Sequence, residues 1–194
     1  MKQIITNSCF ICILIYNPKD MKQILKYIFL VAFIQITMHT FAQESSSEFT
    51  RSAISVGVLV QDMDKSLEFY TQVVGMTQVR EFSIDVEKAK RMGLTNGKAF
   101  DVKVLKLENV VNATEWKLVT FGKKTNFKKQ KFIEDVNGIR YATIFVKSMQ
   151  PLLERIKKYG VKTYGKSPTM LDESRQFVLL KDPDGNFIEF IGPK

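Results

Sequence analysis

Hydrophobic and polar positions alternate over residues 53–60, AISVGVLV. Ile54, Val56, Val58 and Val60 share one face; Ser55, Gly57 and Leu59 share the other. This period of two, rich in β-branched residues, predicts a strand with one strongly apolar face. The period then lengthens. Over 64–74, Leu67, Tyr70, Val73 and Val74 recur on one side at helical spacing, and Gly75 ends the run. An amphipathic helix with a glycine stop is predicted there. Strands are predicted over 77–82, 99–107 and 115–121, and a short helix over 85–92. Gly93 and Asn96-Gly97 supply turn signals between them. In the 115–121 strand Trp116 and Leu118 share one face, Lys117 and Val119 the other. Residues 122–138, GKKTNFKKQKFIEDVNG, lack a clear period and read as a lysine-rich connector.

Beyond the connector the order restarts. Residues 140–146 alternate, with Ala142, Ile144 and Val146 opposed to Tyr141, Thr143 and Phe145. A helix is predicted over 151–159. It opens on Pro151, where a missing N–H costs little, and closes at Gly160. Strands follow over 161–164, 175–180 and 186–191, with Asp182-Pro183-Asp184-Gly185 as the turn between the last two. The chain therefore carries β-α-β-β-β twice. Val60 recurs as Val146, Met63 as Met149, Leu67 as Leu153 and Glu68 as Glu154, all at one offset. A unit this small cannot bury its own apolar face, so the two copies should pair around shared space. The core should then hold Ile54, Val56, Val58, Ala142, Ile144, Val146, Ile188 and Phe190 against the helices. Leu67, Tyr70, Leu153 and Ile156 should meet them.

Composition sharpens this picture because it is uneven. Of 194 residues, 45% are apolar and 25% charged, a globular profile that excludes a disordered or disulfide-dense chain. Both cysteines, Cys9 and Cys12, and the single histidine, His39, precede residue 43. Residues 21–42 read MKQILKYIFLVAFIQITMHTFA: a basic start at Lys22 and Lys26, an apolar run from Tyr27 to Met38, and small residues at Thr40 and Ala42. That is the pattern of a secretory signal peptide cleaved before Gln43, on a run too short to span a bilayer of ~30 Å comfortably. A retained anchor or a buried N-terminal helix is the alternative. MKQI occurs at both 1–4 and 21–24, so Met21 reads as the true start and 1–20 as upstream sequence. The expected organisation is a targeting segment over 1–42, a polar leader over 43–52, and one domain over 53–192 with modules 53–121 and 139–192. The expected destination is the periplasm or the exterior, with no stable membrane span after cleavage.

The segment 43–194 holds no Cys and no His. A disulfide, a thiolate nucleophile, a Ser-His-Asp triad and a His-ligated zinc are therefore excluded there. Any catalytic base must be a carboxylate, a lysine or a tyrosine. The chain is basic, with a net charge of +9. Lys123, Lys124, Lys128, Lys129 and Lys131 cluster in the connector, where Phe127 and Phe132 are the aromatic residues. This reads as a solvated loop, and no nucleic-acid partner is expected.

The segment Val58-Leu-Val-Gln-Asp-Met-Asp-Lys-Ser-Leu-Glu-Phe-Tyr70, followed by Val74-Gly75-Met76, resembles the opening of the vicinal oxygen chelate superfamily. That superfamily includes glyoxalase I, bleomycin- and fosfomycin-resistance proteins, methylmalonyl-CoA epimerase and extradiol dioxygenases. Leu180-Lys-Asp-Pro-Asp-Gly-Asn-Phe-Ile-Glu-Phe190 resembles its last turn and strand. With the duplicated module, the likeness covers about 53–192, and it is specific at the two ends rather than over 83–137. It implies an α+β fold in which two tandem βαβββ modules form a cup-shaped sheet with helices outside. It also implies that metal ligands come from the first and fourth strands of each module, usually His or Gln, Glu, His and Glu. Carried over by residue, those positions fall on Ser55, Lys117 (placed to within about two residues), Tyr141 and Glu189. Only Glu189 keeps the family's residue type, and an ammonium at Lys117 repels a divalent cation.

The signal pattern and the resemblance together point to an exported protein that binds a small anionic or amphipathic molecule in the cup, with no metal or other cofactor. The bleomycin-resistance type is the analogy. Candidate ligand contacts are Ser55, Lys117, Tyr141, Glu189 and Arg175. Lys117 would stand in the cation's place beside Glu189, with the Tyr141 hydroxyl donating to that carboxylate. An enzyme of another class is the second reading: a lyase, isomerase or dioxygenase with an atypical metal site or a Glu189–Tyr141 acid–base pair. A structural domain with a filled cup is the third. A homodimer fits the family, in which the cup forms within one chain or across two.

Overall fold

The computed structural model of the chain describes Lys26, residues 48–123 and residues 130–194. The expected signal segment apart from Lys26, the Cys9–Cys12 pair and residues 124–129 of the lysine-rich connector lie outside the described residues. Residues 51–194 form one compact unit.

The first module runs β1 (Ser55–Leu59), α1 (Met63–Glu68), β2 (Thr77–Ile84), α2 (Val86–Arg91), β3 (Phe100–Lys106) and β4 (Glu115–Thr120). The second runs β5 (Tyr141–Phe145), α3 (Gln150–Lys158), β6 (Thr163–Met170), β7 (Arg175–Lys181) and β8 (Phe187–Pro193). Each module builds a four-stranded sheet, in the orders β1-β4-β3-β2 and β5-β8-β7-β6. The first and last strands of each module are parallel neighbours, and the other pairings are antiparallel. This is the expected α+β fold of two tandem βαβββ modules.

Local chemistry sets the helix ends. The Asp62 carboxylate accepts from the Lys65 amide at 3.1 Å and caps α1. The helix continues through Phe69–Val74 as a wider π-helical stretch and stops at Gly75, whose φ of 92° suits glycine. Pro151 stands in the first turn of α3.

One core serves both modules. Tyr70, Leu105 and Leu118 from the first pack in one cluster with Ile144, Leu152, Ile188 and Phe190 from the second. Neither sheet could bury that area alone, which is why the copies associate. Arg155 on α3 strengthens the contact. Its Nε donates to the Val73 carbonyl at 2.8 Å and its Nη2 to that of Val74 at 3.3 Å, at the C-terminal end of the first module's helix.

The core differs from expectation at the start of β1, where Val56 is only partly buried and lies outside the shared cluster. Ile54 does not face the helices; it lies just before β1 and is 65% exposed. Strict alternation assigns it inward, but it stands at the open start of the strand, on a gap between β1 and β5. Strand β6 is also longer than its polar sequence TYGKSPTM predicts, because pairing with β7 extends it past a register irregularity between Tyr164 and Thr169. Ile144, by contrast, is buried as expected. Replacing Ile144 by Ala should cost about 2–5 kcal/mol in denaturant unfolding. A smaller loss would mean that this strand face is not packed.

Candidate functional site

The register of the parallel strand pairs defines equivalent places in the two modules. Ser55 and Gly57 on β1 oppose Glu115 and Lys117 on β4. Tyr141 and Thr143 on β5 oppose Phe187 and Glu189 on β8. Tyr141 thus stands in the second module where Ser55 stands in the first, and Glu189 stands where Lys117 stands. All four belong to the sheet faces turned away from the Leu118 and Phe190 core, because side chains alternate along a strand.

In the first module these positions gather around a residue the sequence reading missed. Glu115 is buried at 7% exposure, two positions before Lys117 on the same face. Its Oε2 accepts from the Ser55 hydroxyl at 2.8 Å. Arg80 Nη2, from β2, reaches both carboxylate oxygens at 3.2 and 3.1 Å. Lys117 Nζ lies 3.5 Å from Oε2, and Arg51 Nη2 lies 4.0 Å from it. Arg51 also donates to the Ser55 hydroxyl at 3.2 Å. The Ser55 hydrogen bond, then Arg80 and the charge of Lys117, hold the Glu115 carboxyl down to about 2. Three cations around one carboxylate leave a local excess of positive charge, and Lys117 and Arg80 keep part of their surface open.

The signal for Glu115 was present in the sequence, since alternate positions of a strand share a face. Its importance depends on Arg80, which only the sheet pairing brings across.

The second module is arranged differently. Glu189 accepts from the Thr143 hydroxyl at 2.8 Å. The expected Tyr141–Glu189 hydrogen bond is not formed, because Tyr141 opposes Phe187, one strand repeat away. Nor does Lys117 pair with Glu189: its carboxylate partner is Glu115. Among the described residues no hydrogen bond or ion pair links the Glu115 group to Glu189 or Tyr141. Tyr141 is half exposed. Arg175 begins β7 and is bound locally to Asp172, with Nε donating at 2.6 Å. That bond, with the Ser174 amide, holds the Asp172 carboxyl down to about 2.

A separate polar centre locks the modules together behind the sheets. Asp182, in the turn before β8, accepts from the Tyr70 hydroxyl at 2.8 Å and from the Asn186 side chain at 2.9 Å. It also accepts the amides of Asp184 and Asn186 at 3.0 and 2.8 Å. Asp184 in turn accepts from the Gln61 amide and the Ser66 hydroxyl at 3.1 and 3.2 Å. Burial pushes the Asp182 carboxyl up and the Tyr70 phenol far up. The role of the Asp-Pro-Asp-Gly-Asn segment in this chain is thus to hold the α1 helix of the opposite module.

Comparison with known proteins gives the same architecture. No curated protein matches the chain. Among solved structures, a glyoxalase family protein from Bacillus cereus is similar, with a TM-score of 0.62 at 12% identity, over 77% of this chain and 97% of that one. A glyoxylase/bleomycin resistance protein/dioxygenase domain from a Frankia species aligns with a TM-score of 0.50 at 20% identity, over 76% and 94% of the two chains. An antibiotic binding protein from a Streptomyces species aligns with a TM-score of 0.50 at 18% identity, over 76% and 100%. At these identities the likeness concerns the fold. The sequence itself matches a family model over residues 53–190, and by that match the chain belongs to the Glyoxalase/Bleomycin resistance protein/Dioxygenase superfamily.

Proposed function

We propose that this protein is an exported small-molecule-binding member of its superfamily, holding an anionic ligand on the open sheet face without a resident metal. The observation that carries the reading is the setting of Glu115, with Arg80, Lys117 and Arg51 within 4.0 Å of its carboxylate. A ligand anion would meet guanidinium and ammonium donors already clustered by the fold.

The donor chemistry argues against a divalent cation there. The family's four positions carry a hydroxyl, an ammonium, a phenol and a carboxylate. Both Glu115 oxygens are engaged by Arg80, and a metal would face three positive charges at close range. Among the described residues no cluster of three or more His, Cys, Asp or Glu is placed to share one ion. One of the similar folds belongs to an antibiotic binding protein, so the fold accommodates a binding role. Export rests on the signal pattern at 21–42 and predicts a secreted chain beginning near Gln43.

Calorimetric titration of the full chain with phosphate monoesters and small dicarboxylates tests the reading. Binding should weaken at least tenfold in Lys117→Met, and added chelator should change nothing. Equal affinities for the two proteins would overturn it. Glu189 favours a second reading, an acid–base enzyme, because among the described residues it has no ion-pair partner and accepts from Thr143 alone. Turnover of a bound ligand that disappears in Glu189→Gln, with binding retained, would establish that reading.

A further inference from the structure

Strands β1 and β5 each form the outer edge of a sheet, and both edges line one cavity of about 480 Å³. No backbone hydrogen bond between the described residues closes this seam. Its wall is largely apolar, with Ile54, Leu59, Ile139, Tyr141, Phe187 and Ile188 among the lining groups. Two polar groups break that wall. The Arg140 Nε and the Trp116 Nε1 are both buried atoms, and neither has a hydrogen-bond partner among the described residues. The Tyr70 hydroxyl oxygen remains an acceptor for the indole after its proton goes to Asp182, so the unpaired group that matters here is the Arg140 Nε. Arg140 also forms no ion pair among the described residues, unlike Arg51, Arg80 and Arg175.

A buried N–H without an acceptor is costly, and the Arg140 Nε is buried although the residue as a whole is only partly so. Water could satisfy the Arg140 N–H, but it would leave the apolar surface of the cavity without a partner. A molecule with an apolar chain and an anionic head would match both. The cavity volume falls in the range of small-molecule sites, roughly 300–1,000 Å³. We infer that the β1–β5 seam is a binding site for an amphipathic carboxylate, whose head pairs with Arg140 and whose chain lies along the edge strands beside Trp116. Ser55, Lys117, Glu115 and Glu189 do not line this cavity, so the inference stands apart from the anion cluster proposed above.

Trp116 is the single tryptophan of the chain, so its fluorescence reports on this cavity directly. Decanoate, titrated into the full chain, should shift Trp116 emission saturably. Decanol should bind at least tenfold more weakly. Arg140→Gln should reduce decanoate to the decanol level while leaving decanol unchanged. Gly57→Leu provides a second variant, since a Cβ at Gly57 meets nothing within 4 Å and the added side chain would enter the lined space. It should abolish the response to both compounds in a folded protein, confirmed by circular dichroism. Saturating inorganic phosphate should not displace decanoate. Flat Trp116 emission with decanoate, an unchanged affinity in Arg140→Gln or Gly57→Leu, or displacement by phosphate would each overturn the assignment. None of these results depends on Lys117, so failure here is distinguishable from failure of the anion cluster.

Discussion

Asp182→Ala should lower stability by about 3–5 kcal/mol, among the largest losses any single polar substitution produces here. The reason is the number of donors that converge on one buried side chain. Four hydrogen bonds end on the Asp182 carboxylate, from Tyr70, Asp184 and twice from Asn186. Alanine removes every acceptor and leaves the donors in place, including a Tyr70 hydroxyl with no exposed surface on its residue. Tyr70→Phe removes only one donor, so it should cost about 0.5–1.5 kcal/mol. The double variant should be little worse than Asp182→Ala alone, because the two share one interaction. Urea unfolding of the three proteins measures all of this. Additive losses would show that Tyr70 and Asp182 act independently. The pH dependence has a definite sign. The folded Asp182 carboxyl is raised above its ordinary value, so this group favours the native state most at low pH. That contribution falls as pH rises through the folded pKa.

Glu115→Gln should show the opposite dependence. The Glu115 carboxyl is held near 2 against an ordinary 4.5. Its stabilisation is therefore fully present above the unfolded value and is lost as pH falls from about 4.5 toward 2. At neutral pH the substitution should cost about 1–3 kcal/mol. That range is set by charged hydrogen bonds and reduced because Arg80 and Arg51 are partly solvated. Near pH 2 the variant and the parent should converge. Unfolding midpoints measured from pH 7 down to pH 2 test this. A difference that persists unchanged at the acid end would mean that Glu115 acts by shape rather than by charge.

The two modules were legible in the sequence because their signals are local. Alternation at 53–60 and 140–146, helical spacing before Gly75 and Gly160, and the Asp182–Gly185 turn each lie within a few positions. Ile54 shows where locality ends. The period assigns its face, but only the placement of the partner elements decides whether anything covers it. The site was legible in part. Ser55, Lys117, Tyr141 and Glu189 occupy matching register positions on the sheets, as the family pattern suggested. Their partners were not legible, because each depends on which strand lies alongside. Arg80 reaches Glu115 across the first sheet, and Thr143 rather than Tyr141 opposes Glu189. The Asp182 lock joins residues more than a hundred positions apart. The seam between β1 and β5 has no sequence signature at all, since it arises from the packing of one sheet against the other.

Metal stoichiometry tests the central proposal most directly. The purified protein, equilibrated with zinc, manganese, nickel and ferrous ions in turn and then desalted, should retain no ion in stoichiometric amount by plasma mass spectrometry. Lys117, Arg80 and Arg51 hold the first module's site with fixed positive charge, and an ammonium offers no coordination position. Retention of one tightly bound transition metal ion per chain, lost on replacing Glu189, would contradict a metal-free binding site and favour the enzyme.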